Sequence, residues 1–320
     1  MAKYKIISTL RFLNVNSSIE DEYTLMPGVH IINDKKAIEN ILDEEFQIVA
    51  GVLESNYLRN ANHIIYCETE QSEVFGGLDS NNVLTVWLTW IEMLLRDAWL
   101  LKDHSIICEN AYCKVTDVNK EEWSSKSLNT PVSYSSGNKF QDVHFSLNEL
   151  VDWSEKNYQI QTYLHEKKSP IYGSFVDKDF SRLGRSLRFI NSARLDSHPA
   201  LKIAHYCSAL ESLFSTDTSE LTHKLSERVA LFLKEFDYNA GEVFDRVKSY
   251  YGIRSTVMHG SSMKSKKAET LAQLSEDCDS LLRVIINIIL NDTHIADVFE
   301  GPEIKFEKYF RTKLFPEPCL

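Results

Sequence analysis

The sequence predicts an α+β chain: an N-terminal mixed α/β domain over residues 1–166, then an all-α antiparallel helical bundle over residues 167–320. Three observations predict it. The first 80 residues mix short apolar runs with turn signals. From about Phe175 onward, apolar residues recur at spacings of three and four, the period of an amphipathic helix. Between the two patterns, Lys167-Lys168-Ser169-Pro170 is polar and ends in a proline, which marks a linker.

In the N-terminal part, Tyr4 to Val15 and Phe46 to Val52 are rich in Ile, Val, Leu and Phe and predict strands. Met26-Pro27-Gly28 is a turn ahead of a strand at Val29 to Ile32, and His63 to Cys67 predicts another. Residues 82–101 switch to a helical pattern carried by Trp87, Trp90, Leu94 and Ala98, with Glu92, Arg96 and Asp97 on the solvent face. The tryptophans read as core. Strands return at His104 to Val115, and Ser124 to Asn138 is Ser-, Asn- and Gly-rich and predicts a loop. Ser146 is placed to cap a helix running to about His165.

The bundle is expected to hold five helices. The first, within 177–195, carries Phe180, Leu183, Leu187 and Ile190 on one stripe with Arg182, Arg185 and Arg188 beside it. Pro199 suits the first turn of the second, whose stripe is Leu201, Ala204, Cys207, Leu210 and Phe214. The third begins at Ser219 and uses Leu221, Leu225, Val229, Phe232 and Phe236. The fourth runs through Val243, Val247, Tyr250, Tyr251, Val257 and Met258, and Gly260 is placed to end it. Ser261 to Lys267 is a short basic loop, and a long last helix spans about Ala268 to Leu290.

Composition narrows the function classes. With 43% hydrophobic and 25% charged residues, the chain is neither disordered nor fibrous. Its apolar runs are shorter than the roughly 20 residues that span a bilayer, so no membrane is expected. The six cysteines form no C-x-x-C pair or zinc spacing. A cytoplasmic, reducing address is expected. The net charge of −11 disfavours general nucleic-acid binding, yet it is uneven. Residues 1–166 hold 13 Lys and Arg against 25 Asp and Glu, a net −12; residues 167–267 hold 17 against 11, a net +6. The middle block is therefore the candidate polyanion-facing region, unless its charges are a solvated face.

Most catalytic signatures are absent, among them the phosphate loops GxxxxGK[ST] and GxGxxG and the HExxH metal motif. Attention falls on Tyr250 to Gly260. Arg254 occupies a position on the apolar stripe, where a guanidinium needs a partner. Glu211 shares a face of the second helix with Ala204 and Cys207 and is the natural partner. His259 lies five residues after Arg254, about 140° round the helix, at its accessible end. A structural ion pair with a helix-terminal histidine, favoured by the helix dipole, accounts for the same residues.

Three segments in order, Ala209 to Phe214, Glu227 to Leu233 and Arg254 to Gly260, resemble the Apea-like branch of the HEPN superfamily over roughly residues 175–292, about a third of the chain. The family's R-x4–6-H motif falls on Arg254 and His259, with four residues between. Many HEPN nucleases carry Asn, Asp or His directly after the arginine; here it is Ser255. The resemblance does not extend to residues 1–166.

The resemblance implies a helical bundle that homodimerises and brings two motifs into one cleft. It implies a metal-independent endoribonuclease of the toxin or antiphage-defence kind, with no cofactor and RNA as partner. In that reading His259 is the acid/base, Arg254 the phosphate stabiliser, and Glu211 orients Arg254. Ser255 and Tyr251 support the site. Lys264, Lys266 and Lys267, with Arg185 and Arg188, are the candidate RNA contacts. The N-terminal domain would sense a trigger or bind a regulatory protein. Other members of the superfamily are inactive modules, so a scaffold, a nucleotide- or RNA-binding partner, or a bundle silenced by an antitoxin-like partner is the alternative.

Overall fold

The computed structural model describes residues 2–19, 22–70, 75–118, 120–127, 135–166, 180–216, 221–260 and 269–315. It is mixed α+β, an N-terminal antiparallel sheet followed by a mostly helical region. The chain divides into two compact units. The first is Met1–Ser133 with Phe140–Tyr158; the second is Tyr134–Lys139 with Gln159–Leu320. The linker expected at 167–170 lies outside the described residues.

The first unit holds strands β1 (Lys3–Ser8), β2 (Leu13–Val15), β3 (Tyr23–Met26), β4 (Val29–Ile32), β5 (Ile64–Thr69), β6 (Asn110–Asp117), β7 (Lys120–Ser127) and β8 (Val143–Phe145). Its helices are α1 (Lys35–Ile41), α2 (Glu44–Asn60) and α3 (Ser80–Ala98), with the first part of α4 (Leu147–Glu166). Six strands form one sheet in the order β3-β4-β5-β1-β6-β7, each pair antiparallel. β2 and β8 form a separate parallel pair.

The period of two in each strand assigns residues to two cores. Tyr4 and Ile6 of β1, Ile65 and Cys67 of β5, and Ala111 and Cys113 of β6 join Val83, Leu84, Trp87, Ile91 and Leu94 of α3. Ile7, Ile64 and Tyr112 face the other way and join Ile38 of α1 with Phe46 and Leu58 of α2. Two buried indole N–H groups on the first side are satisfied: Trp87 Nε1 donates to Ser8 Oγ at 3.1 Å, and Trp153 Nε1 of α4 donates to the Leu94 carbonyl at 2.8 Å.

Four local expectations are corrected. Phe46 to Val52 is helical, not strand, with a break at Gly51 (φ +79°). Asp43 caps it by accepting from the Phe46 N–H at 2.8 Å, and Glu44 and Glu45 fill the first turn, where the dipole favours them. These end signals outweigh the β-branched run. Ser124 to Ser127, expected as loop, belongs to the edge strand β7, where polar side chains limit further pairing. The strand expected from His104 starts only at Asn110. His104 ties residues 104–106 locally, accepting from the Ile106 N–H at 3.1 Å. Asp97, expected on the solvent face, is buried and meets Arg96 at 2.8 Å and Asn157 Nδ2 at 2.8 Å.

In the second unit follow the rest of α4, then α5 (Arg182–Leu195), α6 (Pro199–Phe214), α7 (Leu221–Lys234), α8 (Ala240–Met258), α9 (Leu271–Asn291), α10 (Thr293–Phe299) and α11 (Glu303–Leu314). From residue 180 onward no strand occurs among the described residues. The helices α10 and α11 lie beyond the last one expected. Pro199 opens α6 as read, although Leu201 is exposed. The third helix's expected start at Ser219 lies outside the described residues, and α7 ends at Lys234 before Phe236.

α6 packs against α5, α7, α8 and α9. Its buried side chains include Ile203, Ala204, Tyr206, Cys207, Leu210 and Phe214, and also Lys202. Lys202 Nζ donates to the last carbonyls of α5, Ala193 at 3.2 Å and Arg194 at 3.1 Å, an interaction favoured at a helix C-terminus. At the other end of α6, Arg182 Nη1 donates to the Ser215 carbonyl at 2.9 Å and Arg228 Nη1 to the Phe214 carbonyl at 2.7 Å. Both guanidiniums lie over the Phe306 ring, at 4.4 and 5.5 Å.

Asp279 of α9 is fully buried. It accepts from Tyr206 Oη of α6 at 2.8 Å, pairs with Arg283 one turn on, and faces the buried Arg194 of α5 at 3.9 Å. Removing one partner of a buried charge cluster typically costs about 3–5 kcal/mol. Asp279→Ala is expected to lower unfolding free energy by about that amount in urea titration; a loss below about 1 kcal/mol would show that the cluster is dispensable.

Candidate functional site

α8 carries the Arg-to-His segment. Asn239 caps it, its Oδ1 accepting from the Gly241 and Glu242 N–H groups at 3.0 and 3.3 Å. Val243, Val247, Tyr250 and Ile253 are buried. The helix ends at Met258, with His259 as C-cap and Gly260 at φ +65°, the left-handed conformation expected of a terminating glycine.

The apolar stripe differs from the expected one at a position that matters. Ile253 is the buried residue, and Arg254 lies at the stripe's margin with its side chain 25% exposed. Val257 is half-buried and Met258 is 64% exposed. Either 253 or 254 can follow Tyr250 inward on a 3.6-residue helix. Placing the isoleucine inside and the guanidinium at the edge avoids most of the desolvation cost of a buried cation.

Glu211 of α6 faces Arg254, as the sequence suggested. Arg254 Nη2 donates to Glu211 Oε2 at 3.2 Å, and Arg254 Nη1 donates to the Tyr251 hydroxyl at 3.1 Å. The guanidinium carbon stands 5.0 Å from the Tyr251 ring centroid. The ion pair is single-pronged, and Glu211 Oε1 is buried with no hydrogen-bond partner. Burial therefore pushes the Glu211 carboxyl above its usual range, although Arg254 and the Tyr251 hydroxyl pull it down. The Tyr251 hydroxyl is also raised, by burial first and then by the Glu211 charge. Cys207, one turn before Glu211, is buried and its thiol is pushed up by burial, so it is not a reactive thiolate.

His259 stands apart from this cluster. It is exposed, and among the described residues its imidazole has no hydrogen-bond partner. Within one chain, five residues carry it about 7.5 Å along the axis from Arg254. Ser255 is half-buried and its hydroxyl makes no hydrogen bond among the described residues. Lys264, Lys266 and Lys267 lie outside the described residues. Arg185 and Arg188 are half-buried on α5, and Arg188 lies 5.9 Å from the Phe180 ring centroid. The structure thus brings together Glu211, Tyr251 and Arg254, and leaves His259 exposed at the end of the same helix.

Two features were missed in the sequence. Arg246 and Tyr250 precede Arg254 at four-residue intervals on α8. Arg246 makes a two-pronged pair with Asp277 of α9, at 2.6 and 3.0 Å, and Tyr250 Oη also donates to Asp277. The i, i+4, i+8 row of Arg, Tyr and Arg was the available signal. The second feature concerns charge. Arg182, Arg194, Lys202, Arg228 and Arg246 all make carbonyl or carboxylate contacts within the unit. Much of the +6 in residues 167–267 is therefore structural and does not face a polyanion.

Among the described residues, no helix is long and apolar enough to cross a membrane. Cys67, Cys108, Cys113, Cys207 and Cys278 are free and buried. Comparison of the chain with known protein families, with curated proteins and with solved structures finds no match.

Because the folded-state pKa of Glu211 is raised, its contribution favours folding at low pH. That contribution is lost as pH rises through the raised value. At neutral pH the ionised group is a net cost that Arg254 offsets. Arg254→Ala is expected to cost about 1–3 kcal/mol at pH 7, and less below the ordinary carboxylate range. In a Glu211→Gln background the deficit should nearly vanish. Urea unfolding across that pH range is the measurement; a pH-independent deficit that survives Glu211→Gln would show that the ion pair is not its cause.

Proposed function

We propose that the helical unit is a metal-independent endoribonuclease of the HEPN type, acting as a homodimer in a toxin or antiphage-defence role. The observation that carries the reading is the state of Arg254. Its guanidinium is held in place by Glu211 and Tyr251 through one donor each, while Nε has no partner among the described residues. A fixed, part-exposed fork of donors fits the growing charge on a phosphorane. His259, at the end of the same helix, is an accessible group of the type that moves protons near neutral pH.

The reaction follows from these groups. An imidazole removes the proton from an RNA 2′-hydroxyl. The 2′-oxygen attacks the adjacent phosphorus, the bond from phosphorus to the 5′-oxygen breaks, and that oxygen takes up a proton from a second, protonated imidazole. The products are a 2′,3′-cyclic phosphate and a 5′-hydroxyl. Two imidazoles serve this better than one, which is the chemical reason for a dimer with paired motifs. The exposed Met258 beside His259 supplies apolar surface for such pairing.

A second reading is favoured by His259 itself, because no group among the described residues orients its imidazole. In that reading the bundle is an inactive scaffold or RNA-binding module and Glu211–Arg254 is structural.

Expression of the wild type should degrade cellular RNA and slow growth. His259→Ala should lower cleavage by the purified protein about 10²–10⁴-fold without loss of helicity. Arg254→Lys keeps the charge but not the fork, so it should preserve stability better than activity. If the wild type cuts no RNA and His259→Ala is indistinguishable from it in cells, the scaffold reading replaces the nuclease reading.

A further inference from the structure

The groove between α7 and α11 encloses about 900 Å³, and no residue of α8 lines it. Four side chains of α11 and its C-cap form a row along it: Ile304, Lys308, Arg311 and Phe315, at i, i+4, i+7 and i+11. All four are exposed, Ile304 at 81% and Phe315 at 72%. α11 packs inward through Phe306 and Phe310, so the row is not what holds the helix in place.

The two cations of the row are unpaired. The Lys308 and Arg311 side chains make no hydrogen bond or ion pair among the described residues. The groove also holds two carboxylates. Glu307 is occupied by a two-pronged pair with Arg228, at 2.7 and 2.8 Å. Glu227 lies one turn from Lys224 on α7. With Arg228 set against Glu307 and Lys224 against Glu227, the groove keeps the two positive charges of Lys308 and Arg311.

We propose that this groove binds single-stranded RNA, with Lys308 and Arg311 holding phosphates and Phe315 stacking a base. The proposal rests on the reading that the chain acts on RNA, and adds to it a surface that holds the strand without cutting it.

Two observations select this occupant. The first is charge. In a chain of net charge −11, unpaired cations in a concavity are complementary to an anionic ligand. Three residues apart on a helix, Lys308 and Arg311 have Cβ atoms about 5–6 Å apart, close enough to hold neighbouring phosphates of one strand. The Arg311 fork can take a phosphate by two donors.

The second is the order of side chains along the row. A helical peptide docks by apolar anchors on successive turns. Here the exposed apolar side chains, Ile304 and Phe315, stand about 16 Å apart along the axis with both cations between them. A single strand alternates flat bases with phosphates, and such strands are held by aromatic faces beside a charged track. Stacking on Phe315 needs an unpaired base, which favours a single strand over a duplex.

Contacts made equally with bound substrate and transition state lower KM and leave kcat unchanged. The groove should therefore set how tightly RNA is held, not how fast it is cut.

The test is fluorescence anisotropy on the full chain with a short labelled single-stranded RNA whose riboses are 2′-O-methylated, so that it cannot be cut. Wild type should bind it, more weakly as salt rises, and should bind the duplex form less well. Lys308→Ala/Arg311→Ala should weaken binding about 100-fold and flatten the slope of log K against log salt by about 1.4, the share of two phosphates on a single strand. Phe315→Ala should weaken binding about tenfold and leave the slope unchanged, because stacking releases no counterions. Both variants should keep the wild-type helicity and melting temperature. No binding by wild type, binding that either variant leaves unchanged, or a duplex held as tightly overturns the proposal. A lowered melting temperature in Lys308→Ala/Arg311→Ala would tie the cations to the chain's own packing and overturn it as well. So would an oligoglutamate peptide that displaces the RNA at equimolar concentration, which would assign the groove to an acidic protein partner.

Cleavage of the same sequence with free 2′-hydroxyls separates this proposal from the nuclease reading. Lys308→Ala/Arg311→Ala should raise KM and leave kcat within about twofold. A wild type that binds through the groove and cuts nothing defeats the nuclease reading alone. A wild type that cuts, with the wild-type KM kept by Lys308→Ala/Arg311→Ala, defeats the groove alone.

Discussion

The second unit depends on one buried carboxylate. Asp279 sits in the middle of α9 with no exposure to water, and it meets groups from α5 and α6. An ionised carboxylate in that position is tolerable only because Tyr206, Arg194 and Arg283 surround it. Its partners fix the lateral position of α6 against α9. Lys202 at one end of α6, and Arg182 and Arg228 at the other, fix it along its axis. α6 is therefore the rigid element of the unit, and Glu211 rides on it.

Glu211 inherits a defined position but not a fully satisfied one. Its carboxylate reaches Arg254 with one oxygen and leaves the other buried and unpartnered. A structural ion pair optimised for stability would be two-pronged, as Arg228–Glu307 is elsewhere in the unit at 2.7 and 2.8 Å. The looser geometry of Arg254 leaves its Nε without a partner among the described residues. Tyr251 holds the guanidinium through both its hydroxyl and its ring face, which limits the entropy cost of that looseness.

Much of this was legible in the sequence, and the exceptions have physical reasons. The helices of the second unit follow from apolar spacing, and two of their ends follow from Pro199 and Gly260. The partnership of Glu211 and Arg254 followed from a carboxylate and a cation on facing stripes. What periodicity could not decide was which of residues 253 and 254 turns inward, because both satisfy a 3.6 repeat. Nor could composition show that Arg182, Arg194, Lys202, Arg228 and Arg246 cap helices and neutralise buried acids. Charge counts carry no direction. In the first unit, Phe46 to Val52 misled because an outward-facing β-branched run is rare on a helix. Only the Asp43 cap and the acidic first turn gave it away.

In the proposed function, a rigid α6, a loosely held Arg254 and an accessible His259 act together in transesterification. The most direct measurement is the chemistry of the ends produced when the purified protein is incubated with a defined single-stranded RNA. Paired imidazole catalysis at the 2′-hydroxyl predicts a 2′,3′-cyclic phosphate on one fragment and a 5′-hydroxyl on the other. A 3′-hydroxyl with a 5′-phosphate would show that water attacks instead of the 2′-oxygen, and would contradict the roles given to Arg254 and His259.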